Sequence, residues 1–121
     1  MISFELLPSF KRKIKQYAKK FKGIKKDLIS LQNTLKENPT NAIPIRDNDI
    51  FKIRLANSSL NKGKSSGYRV YYYYLDSEST ITLMYIYSKN DQANLSDEDL
   101  DKLILELEVF METKNKVNDE D

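Results

Sequence analysis

The chain has 121 residues, with 20 Lys+Arg against 18 Asp+Glu and neither Cys nor His. That length suits one domain with an ordinary core, and the missing Cys and His exclude thiol nucleophiles, imidazole bases, zinc fingers and disulfide frameworks. The net charge of +2 conceals a split, because residues 1–90 carry 17 Lys+Arg against 7 Asp+Glu while residues 91–121 carry 3 against 11; a basic body that suits a polyanion precedes an acidic end, unless both are ordinary solvated faces.

Ile2 to Leu6 reads as an opening strand, ended by Pro8. Pro8 and Ser9 mark a helix start, with Ser9 as N-cap. Phe10, Ile14, Tyr17 and Phe21 then recur at one helical face, with Lys11, Arg12, Lys15, Lys19 and Lys22 opposite. Gly23 breaks this helix. Ile24, Leu28, Leu31 and Leu35 line a second one, which Asn38 and Pro39 end. The short connection predicts a helical hairpin. No run approaches the roughly 20 apolar residues that span a bilayer. MISFELLPSFKRK has no basic region ahead of its apolar stretch, so it does not read as a signal peptide. A cytoplasmic protein without a membrane partner is expected, and the absence of Cys agrees with a reducing compartment.

After Pro44 the period changes to two. Ile50, Lys52 and Arg54 alternate with Phe51, Ile53 and Leu55, giving a strand with cations on one face. Asp47 and Asp49 read as turn residues before it. Ala56 to Gly67 is a loop carrying Lys62 and Lys64. Tyr68 to Leu75 is a β-favouring strand. Asp76 to Ser79 turns into a third strand, Thr80 to Tyr87, with Ile81, Leu83, Tyr85 and Tyr87 expected on one face and Thr82, Met84 and Ile86 on the other. Apolar residues on both faces predict a central strand. Ser96, with acids following, caps a last helix whose stripe is Leu100, Leu103, Ile104 and Leu107. Residues 1–113 form one expected domain, and 114–121 read as a polar tail without fixed structure. The order β-α-α-β-β-β-α predicts an α+β fold: a small antiparallel sheet packed by the N-terminal helical hairpin, with a C-terminal helix.

Lys52 and Arg54 share a strand face, and Arg69 opens the next strand beside it. Crowded like charges are tolerated best where the face is wet or meets an anion, so a solvated edge and an anion site both fit. Tyr71 and Tyr73 share the face of Arg69; Tyr68, Tyr72 and Tyr74 take the other. Aromatics there either fill a core or, beside cations, stack nucleobases. Neither a nucleophile elbow, a phosphate-binding loop nor a calcium loop is present, so no metal and no cofactor is expected.

The ordered set FKIRL, GYRVYYYY, ITLMYIYSKND and NLSDEDL resembles the RelE/ParE superfamily of bacterial toxins, with the RelE/HigB branch the nearest in pattern. The resemblance covers nearly the whole chain. It implies a type II toxin held in a tight complex by an antitoxin, expected to be of helix-turn-helix type. RelE-like members cut messenger RNA on the ribosome by attack of a ribose 2′-hydroxyl, with neither metal nor histidine; ParE-like members inhibit DNA gyrase. The catalytic positions carried over are Lys52, Arg54, Arg69 and Lys89. Arg69 is then the phosphate clamp, Lys52 the general base, and Lys89 or a tyrosine the donor to the leaving oxygen. Lys62, Lys64, Tyr71, Tyr73 and Tyr87 are expected to touch RNA. The chain departs from the RelE pattern at Arg54 (a lysine there), Asn90 (an arginine) and Ser96 (a tyrosine), and its loop from Asn57 to Ser66 is longer and more HigB-like. A gyrase inhibitor and a catalytically degenerate binding module are the alternatives on the same fold.

Overall fold

Strands that are apolar on both faces belong at the middle of a sheet, and the two tyrosine-rich ones are found there. A computed structural model describes residues 1–46, 49–60 and 66–119. In chain order the elements are β1 (Ser3–Leu6), α1 (Pro8–Lys20), α2 (Ile24–Glu37), β2 (Ile43–Ile45), β3 (Ile50–Leu55), β4 (Tyr68–Leu75), β5 (Thr80–Ser88) and α3 (Asp97–Asp119). The sheet runs β1-β5-β4-β3-β2. Every pairing is antiparallel except β1 with β5, which is parallel, Phe4 lying beside Ile81. The α+β architecture is as expected. The short strand β2 has no counterpart in the sequence reading. Pro44 gives β2 no backbone donor at that position, which only an edge strand tolerates.

Phe10, Tyr17 and Phe21 of α1 and Ile24, Leu31 and Leu35 of α2 bury one sheet face, over Val70, Tyr72, Ile81 and Leu83. Leu100, Leu103 and Leu107 of α3 bury the other, over Ile50, Tyr71, Met84 and Tyr87. The last helix therefore completes a three-layer packing. It runs to Asp119, so the stretch from Lys114 that reads as an unstructured tail is helical up to that point. In this last part Lys114 pairs with Glu5 of β1 at 2.7 Å.

Two local corrections matter for the site. The register between β4 and β5 slips by one residue, Tyr71 facing Tyr85 while Tyr72 faces Leu83. Met84 is the extra residue of a β-bulge, which flips all side chains beyond it to the opposite face. Ile81 and Leu83 thus face α1 and α2, and Tyr85 and Tyr87 do not share their face but turn toward α3. Ser9 is not the N-cap of α1; Leu7 flanks the helix and Pro8 takes its first turn, where no backbone donor is needed. The freed Ser9 instead donates its N–H to Glu106 Oε2 at 2.9 Å and its hydroxyl to Glu106 Oε1. A carboxylate of α3 so satisfies an orphan donor at the positive end of α1. Ser96 caps α3 as expected, accepting the Asp99 N–H at 3.0 Å.

Candidate active site

The pairing of β3 with β4 sets Arg54 directly opposite Arg69 and Lys52 opposite Tyr71, while Arg69 faces Tyr87 on its other side. Like charges opposed across a ladder destabilise the pair. Arg69 is only 5% exposed, and its Nη1 donates to the Tyr68 carbonyl at 3.2 Å. Lys52 is half-buried, and Arg54 and Lys89 are exposed. Lys89, which follows β5, donates its N–H to the Gly67 carbonyl at 3.0 Å. That bond ties the end of β5 to the start of β4. Gly67 does not adopt a left-handed turn conformation. Its lack of a side chain serves close approach instead, since a Cβ there would meet the Leu55 carbonyl oxygen at 2.3 Å.

The four predicted cations act on one another. Burial lowers the Lys52 ammonium pKa from its usual value, and Arg69, Arg54 and Lys89 lower it further. Burial, then Arg54, lowers Arg69 as well. Both effects have one physical cause: a charged form kept from water and beside like charge is disfavoured. Three of the cations, Lys52, Arg54 and Arg69, line one cavity of about 420 Å³ beside β3, together with Asp27, Thr34 and Asn41; Lys89 is not among its lining residues. Its size is that of an ordinary small-ligand site. Lys52 Nζ also lies 5.7 Å from the centre of the Tyr71 ring and donates to Asn94 Oδ1 at 3.3 Å.

The tyrosines divide differently from the expectation. Tyr71 and Tyr87 are 4% and 0% exposed, so neither presents a ring face on which a base stacks. They fill the core beneath α3, because a central strand must bury both faces. Burial pushes the Tyr71 phenol up to about 12. The Tyr87 hydroxyl donates to the Ala93 carbonyl at 3.3 Å. Tyr73 packs at the edge of the same core, opposite Ile50 and away from Arg54 and Arg69. Lys62 and Lys64 lie outside the described residues. Asn94 was not anticipated: the Asn- and Asp-rich run after β5 signals only a turn, and nothing in its spacing tells that it folds back on β3.

Among the described residues no cluster of three or more acidic side chains is placed to hold a metal ion, and no helix is long and apolar enough to cross a membrane. No family model matches the chain, and no curated protein matches it in sequence. Among solved structures, the isolated E. coli RelE toxin in its P21 crystal form is similar over 97% of this chain and 99% of that one, at 18% identity and a TM-score of 0.49.

Proposed function

We propose that this chain is the toxin of a type II toxin–antitoxin pair, a metal-independent endoribonuclease that cuts messenger RNA on the ribosome and is restrained by an antitoxin of helix-turn-helix type. The observation that carries the reading is the meeting of Lys52, Arg54 and Arg69 around one cavity, with the Lys52 ammonium disfavoured by burial and then by its cationic neighbours. Such a site is built for a substrate that gains negative charge during reaction.

The ribose 2′-hydroxyl attacks the adjacent phosphorus, and its proton passes to Lys52. A free lysine amine is almost wholly protonated at neutral pH, with a reference pKa of about 10.4; burial, and then crowding by like charge, makes the neutral base accessible at lower pH. Negative charge then grows on the non-bridging phosphorane oxygens, where the planar guanidinium of Arg69 binds two of them and Arg54 adds a second cation. The bond to the 5′-oxygen breaks as Lys89 gives that oxygen a proton. The products are a 2′,3′-cyclic phosphate and a 5′-hydroxyl, and solvent returns the proton from Lys52 to Lys89. Lys62 and Lys64, shortly before Arg69 in the sequence, bind phosphates flanking the cut. Purified chain added to ribosomes programmed with a short message should cut the codon in the decoding site. Removing a fixed cation that meets developing charge costs about 10²–10³ in rate and removing a general base about 10²–10⁴, so Arg69→Ala and Lys52→Ala should lose cleavage on those respective orders. Full cleavage by both variants would refute the assignment.

A further inference from the structure

The loop between β5 and α3 is held at four points. Lys89 N–H bonds the Gly67 carbonyl at 3.0 Å. Tyr17 of α1 donates its hydroxyl to Asp91 Oδ2 at 2.9 Å, and Lys20 lies 3.5 Å from the same carboxylate. Tyr87 holds the Ala93 carbonyl at 3.3 Å, and the Leu95 backbone bonds the Tyr71 hydroxyl. Three tyrosine hydroxyls, from α1, β4 and β5, thus clamp a polar segment that carries no regular structure. Besides Lys89, this segment brings Asn94 to the cationic cluster, where its Oδ1 accepts from Lys52 Nζ at 3.3 Å. The other groups facing that amine are Arg54 on its own strand, Arg69 and the Tyr71 ring on β4, and Lys89 after β5; Asp27 of α2 lines the shared cavity.

We propose that Asn94 is a positioning residue for Lys52: its carboxamide, fixed by the tyrosine-clamped loop, aims the amine at the reacting ribose. An amide suits this task. It accepts a hydrogen bond yet brings no negative charge, so it orients the amine without fixing it as an ammonium ion. A carboxylate at the same place would fix it, because an opposite charge nearby favours the protonated form. The role in catalysis rests on the nuclease reading; the contact itself is tested without it.

The full chain is compared with Asn94→Ala and Asn94→Asp. Acylation of Lys52 by an amine-reactive reagent is followed over a pH series by peptide mass spectrometry, and message cleavage on ribosomes is followed over the same series. Asn94→Asp should slow Lys52 acylation about tenfold at a given pH, one unit of pKa, and move the rising limb of the cleavage profile to higher pH. Asn94→Ala should acylate faster and lose kcat with KM unchanged. Identical Lys52 acylation in all three proteins would overturn the proposal, whatever cleavage does. Altered acylation together with intact message in the wild type would uphold the contact and remove the nuclease reading alone.

Discussion

Arg54 and Arg69 face each other across a β-ladder, an arrangement that stability alone does not favour. A cross-strand like-charge pair costs roughly 0.2–1 kcal/mol, and Arg69 is almost wholly buried besides. Replacing Arg54 with Gln should therefore raise stability by about that amount while slowing cleavage, the trade expected where function sets a residue against the fold. Urea unfolding and ribosomal cleavage of the same preparation check it; a variant less stable than the wild type would show that Arg54 serves the fold instead. At this scale the sequence was legible for the cations, since alternation alone put Lys52 and Arg54 on one face. It was illegible for Tyr87. The run TITLMYIYS is rich in apolar residues at both parities, so nothing in it betrays the extra residue at Met84 that turns Tyr85 and Tyr87 toward α3.

Between elements, a few polar contacts fix how helices meet. Glu106 of α3 takes both the backbone N–H and the hydroxyl of Ser9 at the start of α1. Losing an N-terminal helix cap typically costs about 1 kcal/mol. Glu106→Ala should lower stability by that order, and Glu106→Gln by less, as measured by thermal or urea unfolding. No difference between Glu106→Ala and the wild type would mean that the contact contributes nothing net. The helical hairpin was readable because its apolar residues recur at spacings of three and four with breakers at Gly23 and Pro39. Strand β2 was not, because three residues containing Pro44 show no period. The reach of α3 past Lys114 was hidden too, since a polar composition cannot announce a partner such as Glu5 on a distant strand.

For the molecule as a whole, eight tyrosines in a small chain make stability sensitive to alkali. Burial raises the phenols of Tyr17, Tyr68, Tyr72 and, to about 12, Tyr71 above the usual value of 10.0. Above pH 10 the unfolded chain releases protons that the folded chain keeps, so the tyrosine contribution, complete below that pH, falls as pH rises. Lys52 works in the opposite sense, because its folded pKa lies below the 10.5 of the unfolded chain and its penalty is relieved as pH climbs through that window. With several buried phenols against one amine, the tyrosines win. Tyrosinate absorbance and circular dichroism should change together in an alkaline titration; full ionisation with the secondary structure intact would contradict this. The overall charge split follows the elements: the cations Lys52, Arg54 and Arg69 stand on β3 and β4, and the acidic α3 packs over Ile50 and Tyr71 with its Asp97 and Asp101 paired with Arg46. Nuclease activity on translated message is decided by inducing the wild type and Arg69→Ala in a bacterium and mapping transcript ends on translated and untranslated copies of one message. Cuts confined to the translated copy and absent from the variant are the expected result. Growth arrest with the message intact would contradict it and point to gyrase, and no arrest at all would leave a binding module without catalysis.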